Sequence, residues 1–132
     1  MKNIIDIENI ISMMPHRYPF LLIDRLIDIK NDGSFSLDMS FFDYCSGTTM
    51  TSKKFNQLFG GPPRIPESKI TQKEMDIASS IQKVTEEILL KIAKNIKEKY
   101  KQDNLCLAGG VALNCVANGK LLESKLFKNI WI

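Results

Sequence analysis

The sequence NLCLAGGVALNCVAN, residues 104–118, contains a strand, a glycine turn and a helix start within fifteen residues. Residues 105–108 are all apolar, which predicts a strand covered on both faces, as in a parallel α/β sheet. Gly109 and Gly110 end the strand, permit positive φ angles and let a ligand approach the backbone closely. Residues 111–122 are predicted as a helix whose N-terminal amides face the turn. The pattern alone leaves two interpretations open, a tight βα turn and an anion-binding cradle.

The composition limits the class of protein. The 132 residues suffice for one domain, and 44% hydrophobic with 25% charged residues is typical of a soluble globular protein. No apolar run reaches the roughly eighteen residues of a membrane span, and the N-terminus lacks a signal-peptide pattern. The net charge of +3 comes mostly from dispersed lysines, which argues against nucleic-acid binding. We therefore expect a cytoplasmic protein with neither a membrane nor a nucleic acid as its partner.

Cysteine and histidine are too few to predict a metal centre. Cys45, Cys106 and Cys115 have no CxxC spacing, so neither a disulfide framework nor a structural zinc site is expected. We expect Cys106 and Cys115 to be small buried hydrophobic residues. His16 is the single histidine, which leaves too few soft ligands for a catalytic metal site.

The N-terminal part is predicted to form a helix and a β-hairpin. Isoleucines recur at helical spacing in residues 3–14, and Pro15 ends that segment. FLLIDRLIDI, residues 20–29, predicts a strand, and residues 31–33 supply turn chemistry. Residues 34–41 alternate polar and apolar side chains and predict a second strand. Its apolar face would consist of Phe35, Leu37, Met39 and Phe41.

Residues 43–70 show no period and contain several glycines and prolines, so they predict a long connection. Connections of this length are usually functional or docked on another surface. One short helix is predicted at residues 52–58. Arg64 follows GGPP and has two interpretations, an anion-binding guanidinium and a surface arginine in a turn.

Residues 71–99 predict one long helix, because Thr71 and Glu74 form a capping box before a continuous apolar stripe. The helix would be about 45 Å long, more than the width of a small domain, unless it breaks near residues 93–95. The stripe consists of Met75, Ala78, Ile81, Val84, Ile88, Ile92 and Ile96. NIWI, residues 129–132, predicts a strand that completes a βαβ unit, and we expect the loop after it to be missing from this chain.

Residues 5–29, with MMPHRYPFLLIDRLIDI, resemble the opening of the β-hydroxyacyl-ACP dehydratases, hot-dog proteins of fatty-acid synthesis. In that family the catalytic histidine lies in a later GHFPG-like motif, and its acidic partner lies on a long central helix. Neither motif occurs here, so His16 is not that catalytic histidine. We therefore predict a dehydratase-like segment at residues 1–30 and rank dehydratase activity as the least favoured function.

Residues 32–132 resemble the O-carbamoyltransferases of nodulation-factor and antibiotic biosynthesis. The motifs are DGSFSLDMSFFDYCSGTTMTSKKFNQLFGGPPRIPES, QKEMDIASSIQKVTEEILLKIA, NLCLAGGVALNCVANGKLL and FKNIWI. The resemblance implies an α/β fold. Residues 31–132 would form part of an actin/Hsp70-like (ASKHA) nucleotide-binding domain, a half-domain that also has an N-terminal helix and a β-hairpin.

The same resemblance implies a nucleotide site. Gly109, Gly110 and Val111 would line its adenosine end, and Asn114 would project toward the nucleotide from the first helical turn. The long helix would lie behind the site, with Asp76, Ser79 and Gln82 among its residues.

The resemblance implies ATP as the cofactor, because the family uses ATP and carbamoyl phosphate to form a carbamoyl-adenylate. The carbamoyl group then passes to a hydroxyl of a sugar or antibiotic. The family's iron-binding histidines, its metal-binding aspartate and its carbamoyl-phosphate subdomain lie outside the matched sequence. We therefore expect a fragment without catalytic or metal-binding residues of its own, inactive alone. The alternative is an assembly module that completes a site with another protein chain.

Overall fold

The structure is a computed structural model and describes residues 25–132. The predicted helix at residues 3–14, His16 and the start of the first strand lie outside the described residues. The elements, in order, are β1 (Ile27–Ile29), β2 (Phe35–Leu37), a 3₁₀-helix (Met39–Phe41), α1 (Lys53–Leu58), α2 (Gln72–Tyr100), β3 (Asn104–Cys106), a 3₁₀-helix (Gly110–Leu113), α3 (Cys115–Glu123) and β4 (Asn129–Trp131). Residues 25–132 have a mixed α/β arrangement with three α-helices and two small sheets.

The predicted hairpin is confirmed. Strands β1 and β2 pair antiparallel, with Ile27 opposite Leu37. Gly33 in the turn has φ +85°, and a Cβ there would lie 2.5 Å from the backbone nitrogen of Ile92 in α2. The turn therefore needs glycine for its conformation and for its close contact with the long helix.

The second strand is shorter than predicted. After β2 the side chain of Asp38 accepts a hydrogen bond from the Ser40 amide at 2.9 Å and caps the 3₁₀-helix. This local bond competes with strand pairing, so the alternation of residues 34–41 does not produce one apolar face. Phe35 and Met39 are exposed, whereas Phe41 is buried.

The predicted helix at residues 52–58 is confirmed as α1, which begins after the N-cap Ser52. The Ser52 hydroxyl also donates to the Ser40 carbonyl at 2.8 Å and so links α1 to the 3₁₀-helix that follows the hairpin. Arg64 donates from its guanidinium to the backbone carbonyls of Ile65 and Ser68. This geometry favours the interpretation of Arg64 as a surface arginine that closes a turn.

The long helix is confirmed, and its capping box is present at Thr71 and Glu74. Helix α2 runs for 29 residues without the break considered near residues 93–95. The predicted apolar stripe is wrong in its first half, because Met75, Ala78 and Ile81 are exposed. The buried face there includes Ser80, whose hydroxyl donates to the Asp76 carbonyl at 2.7 Å. A pattern built from apolar residues leaves out a buried serine. The prediction therefore placed the buried face on the wrong side of the first half of the helix.

Helix α2 packs against two separate apolar clusters. The first cluster contains Leu26, Ile27, Phe41, Phe59 and Val84. The second cluster contains Ala93, Leu121 and Phe127. Helix α2 therefore supports the hairpin and α1 through Val84, and the βαβ unit through Ala93.

The βαβ unit is confirmed, since β3 and β4 pair in parallel and α3 connects them. The prediction that β3 is covered on both faces is wrong: Leu105 is half-buried, whereas Cys106 is exposed. Within the described residues, helices α2 and α3 cover one face of this two-stranded sheet. Cys115 is exposed as well, so the prediction of two buried cysteines is also wrong.

Asp103 joins the end of α2 to the sheet. Its carboxylate accepts hydrogen bonds from Lys128 at 2.5 Å and from Lys97 at 2.7 Å. The hydrogen bonds from Lys128 and then Lys97 lower the pKa of Asp103 to about 2. Asp103 is therefore ionised throughout the physiological pH range.

Among the helices of residues 25–132, none combines the length and apolar character needed to cross a bilayer.

Two adjacent leucines of α3 test the second cluster. Leu121 is fully buried and Leu122 is 63% exposed. We expect Leu121→Ala to lower the free energy of unfolding by about 2–5 kcal/mol, because it leaves a cavity between α2 and α3. We expect Leu122→Ala to change it by less than about 0.5 kcal/mol. Urea unfolding followed by circular dichroism measures both values, and equal losses would contradict this packing.

Candidate functional site

The glycine turn follows β3 at its carboxyl end and is open. Gly109 has φ 102° and ψ 174°, a backbone conformation that is essentially restricted to glycine. Apart from the adjacent residues and the local helix backbone, no heavy atom lies within 4 Å of the position that a Cβ would occupy on Gly109 or on Gly110. A ligand can therefore approach the backbone of both glycines closely.

The segment after the turn differs from the predicted helix at residues 111–122. Residues Gly110–Leu113 form a 3₁₀-helix, and α3 begins only at Cys115. Asn114 separates the two helices, and its Oδ1 accepts a hydrogen bond from the Ala117 amide at 3.0 Å. Asparagine is a strong N-cap residue, and its side chain satisfies one of the amides that the prediction left free.

The Asn114 carboxamide also forms a reciprocal pair with Gln82 of α2. Asn114 Nδ2 donates to Gln82 Oε1 at 2.8 Å, and Gln82 Nε2 donates to Asn114 Oδ1 at 3.1 Å. Gln82 Nε2 also donates to Glu86 Oε1 at 2.8 Å. Lys120 of α3 forms an ion pair with the other carboxylate oxygen of Glu86. We call these four side chains, Gln82, Glu86, Asn114 and Lys120, the clasp between α2 and α3.

Glu86 is the buried charge of the clasp, with 5% of the residue exposed. Hydrogen bonds from Lys120 and then Gln82 lower the pKa of Glu86 below its ordinary value and outweigh the opposing effect of burial. Because a buried carboxylate is costly unless it is paired, Glu86 requires both partners.

The structure brings the predicted site residues together. Gly109, Gly110 and Val111 are all exposed in the same turn, and Asn114 is half-buried beside them. Of the residues expected behind the site, Gln82 reaches the turn through Asn114. Their roles toward a nucleotide stay predictions.

The other two residues expected behind the site have different surroundings. Asp76 accepts a hydrogen bond from Gln72 at 2.7 Å, one helical turn earlier in α2. Ser79 is exposed. Within the described residues, neither the Asp76 nor the Ser79 side chain forms a hydrogen bond with the glycine turn.

Sequence reasoning missed Glu86 and Lys120. Glu86 lies one helical turn after Gln82 and on the same face as Ala93, which packs in the second cluster. A carboxylate on the apolar face of a helix is a signal for a buried polar contact. Its partner Lys120 is 34 positions away along the chain and gives no local signal.

A groove of about 410 Å³ lies beside the turn, between the 3₁₀-helix, α3 and the end of β4. Leu113, Leu122 and Ile130 are among its mostly apolar lining residues. Asn118 also lines it and donates from Nδ2 to the Ala112 carbonyl at 2.7 Å. The size falls within the usual range for small-molecule sites.

Residues 25–132 contain no group of three or more His, Cys, Asp or Glu side chains arranged to hold a metal ion.

A parallel strand that leads through an open glycine turn to a helix is an arrangement typical of α/β proteins that bind nucleotides or other anionic ligands. The sequence matches the family described as "Carbamoyltransferase N-terminus" over residues 8–132. The chain therefore belongs to the carbamoyltransferase N-terminus family.

Two curated relatives match most of this chain. The Uncharacterized protein sll1178 of Synechocystis sp. (strain ATCC 27184 / PCC 6803 / Kazusa) is 58% identical over 116 residues, which are 88% of this chain and 19% of the relative. The Nodulation protein NolNO of Sinorhizobium fredii (strain NBRC 101917 / NGR234) is 40% identical over 118 residues, 89% of this chain and 15% of the relative. The chain thus spans less than a fifth of the length of these curated relatives.

The similarity to dehydratases covers part of the chain: FabZ of Legionella pneumophila (strain Corby) is 36% identical over 66 residues, 50% of this chain and 39% of the relative. The 3-hydroxyacyl-(acyl-carrier-protein) dehydratase FabZ of Sinorhizobium medicae (strain WSM419) is 59% identical over 29 residues, 22% of this chain and 19% of the relative. The carbamoyltransferase match begins at residue 8 and so includes most of the dehydratase-like segment. The division into residues 1–30 and 31–132 stays a prediction.

The two glycines of the turn make a matched test of its backbone. We expect Gly109→Ala to lower the free energy of unfolding by about 1–3 kcal/mol, because a Cβ is strained at φ 102°. We expect Gly110→Ala to leave it unchanged or raise it by up to about 1 kcal/mol. Thermal unfolding measures both variants, and an equal loss in Gly110→Ala would contradict the described turn.

The ionisation of Glu86 tests the clasp directly. In a carbon-detected NMR titration we expect the Glu86 pKa to lie below its ordinary 4.5, and to rise in Lys120→Met because the main hydrogen bond is lost. Lys94→Met, a change of an exposed lysine in α2, should not move it. A pKa lowered by folding stabilises the protein above about pH 4.5, and this contribution disappears as the pH falls through the lower value. An unchanged Glu86 pKa in Lys120→Met would show that the ion pair does not form.

Proposed function

We propose that this chain contributes part of the nucleotide pocket of an O-carbamoyltransferase. The observation that carries the proposal is the open glycine turn after a parallel strand, in a chain of the carbamoyltransferase N-terminus family. In the proposed reaction, carbamoyl phosphate, ATP and water give a carbamoyl-adenylate, phosphate and pyrophosphate. The carbamoyl group then passes to a hydroxyl acceptor with release of AMP. We infer that residues 31–132 form part of an actin/Hsp70-like (ASKHA) nucleotide-binding domain.

The turn supplies the surface that a nucleotide needs. Gly109 and Gly110 have open space where side chains would stand, so the ribose or a phosphate of ATP would contact their backbone directly. Val111 is exposed at the same turn and offers apolar contact to the adenosine. The adjoining groove of about 410 Å³ would accept the base against its apolar lining.

Iron, which the resemblance implies for the family, has no fitting group of ligands within residues 25–132. The proposed contacts between the glycine turn and a nucleotide need no metal ligand from residues 25–132. We propose that the groups for carbamoyl transfer come from sequence outside the described range. The greater length of the relatives supports this, since the chain covers 19% and 15% of them. A cytoplasmic location, where ATP is available, fits the proposal.

A second candidate function is an assembly module that completes a site with another protein chain. The observation in its favour is the apolar surface of the βαβ unit, where Val116, Leu122 and Trp131 are all more than half exposed. Apolar surface of this kind is typical of a protein contact. A chain that elutes from a sizing column as a monomer, and binds no apolar dye, would count against this candidate.

Titration calorimetry with ATP and Mg²⁺ tests the pocket. We expect the 132-residue chain to bind ATP, and Gly110→Leu to weaken the affinity at least about tenfold by filling the space at the turn. Ala78→Leu, at an exposed position of α2, is the matched control and should keep the wild-type affinity.

Two outcomes would overturn the proposal. The wild-type chain failing to bind ATP would exclude the pocket, and wild-type affinity in Gly110→Leu would place the nucleotide elsewhere. Catalysis is tested separately by pyrophosphate release from ATP, carbamoyl phosphate and iron. We expect no release above the protein-free rate from this chain alone, so turnover would contradict the need for further sequence.

A further inference from the structure

The Asn114 carboxamide is held in one orientation by its neighbours. Its Oδ1 accepts from the Ala117 amide, which can only donate, at 3.0 Å. Its Nδ2 donates to Gln82 Oε1 at 2.8 Å. Rotating the amide by half a turn would place a donor against the Ala117 N–H and lose both bonds. Asn114 therefore has a defined orientation where the 3₁₀-helix passes into α3.

The orientation of Gln82 is fixed in turn by Glu86. An ionised carboxylate only accepts hydrogen bonds, so Gln82 must direct Nε2 toward Glu86 Oε1, at 2.8 Å, and Oε1 toward Asn114. The lowered pKa of Glu86 keeps this carboxylate ionised at neutral pH. Glu86 therefore fixes the orientation of Gln82, and Gln82 in turn accepts from Asn114 Nδ2 and donates to Asn114 Oδ1.

The clasp differs from the apolar contacts between α2 and the βαβ unit, because it contains the buried charge of Glu86 and links polar side chains to one another. Ala93, Leu121 and Phe127 already join α2 to the βαβ unit through apolar contact. A buried ion pair is often no more stabilising than an apolar replacement of the same volume, and some such pairs specify one geometry instead. Asn114, one member of the clasp, is the N-cap of α3 at the end of the helix that follows the glycine turn.

We propose that Gln82 and Glu86 are positioning residues for the nucleotide-binding turn and that they act through Asn114. They fix its carboxamide and so set the path of residues 109–114 before the nucleotide arrives. This inference rests on the proposed nucleotide site, because it assigns the clasp to preparing that site. Pre-organised groups gain affinity since less conformational freedom is lost on binding.

The main test compares two glutamines of α2 that make similar bonds four residues along the helix. Gln82 donates to Glu86 at 2.8 Å, and Gln72 donates to Asp76 at 2.7 Å. We expect Gln82→Leu to weaken ATP affinity of the 132-residue chain about tenfold or more, and Gln72→Leu to change it less than about twofold. Equal affinities in the two variants, both fully folded, would overturn the proposal.

A double-mutant cycle tests whether Gln82 acts through Asn114. In the Asn114→Ala background, Gln82→Leu should cause no further loss of ATP affinity, because the amide that Gln82 orients is already absent. A purely structural role for Gln82 would give additive losses in the same cycle. Glu86→Gln keeps the shape of the side chain but removes its charge, and it should weaken ATP affinity several-fold. This variant replaces Gln82→Leu as the test if Gln82→Leu does not fold.

Amide hydrogen exchange gives a readout that does not need ATP. We expect faster exchange of the Ala117 amide in Gln82→Leu, while the Leu121 amide keeps its wild-type rate. An unchanged Ala117 rate would overturn the positioning role, whether or not ATP binds. If the wild-type chain binds no ATP while Ala117 exchange responds to Gln82→Leu, the proposed function fails and the control of Asn114 by Gln82 stands.

Discussion

The structure depends on one continuous helix serving two separate apolar clusters. Helix α2 is 29 residues long, about 44 Å, and no single small cluster can cover such a length. It packs through Val84 with the hairpin and α1, and through Ala93 with α3. The clasp joins α2 to α3 through Gln82 and Glu86. The helix therefore fixes the distance between the hairpin and the glycine turn.

Features that depend on neighbouring residues were predictable from the sequence. The hairpin turn, the capping box at Thr71 and the positive φ of Gly109 follow from residue type and spacing, and the structure has all three. The phase of α2 failed because Ser80, a polar residue, is buried with its hydroxyl bonded to the backbone. A sequence pattern shows that serine is polar. It does not show that the serine hydroxyl can donate to a carbonyl of its own helix and so be buried.

The region of the candidate site was also predictable only in part. The turn at Gly109 and Gly110 follows from the strand-turn-helix pattern, because the positive φ of Gly109 favours glycine, and the role of both residues toward a nucleotide stays a prediction. The start of α3 was misplaced, because Asn114 can end one helix and cap the next, and the apolar pattern of residues 111–113 does not reveal the change. The contacts of Glu86 with Lys120 and of Gln82 with Asn114 join positions more than thirty residues apart. Such contacts depend on how α3 packs on α2 and have no signal in spacing.

The close contact of Gly33 with Ile92 limits where the chain can accept extra sequence. Loops usually tolerate insertions because their backbone is exposed. The hairpin turn at residues 31–33 is an exception, since Gly33 is buried against the backbone of α2 and any added residue would have to displace that helix. Residues 62–70 are exposed and make no such contact with the two clusters. Length variation among homologous chains should therefore concentrate in this second loop and avoid the first.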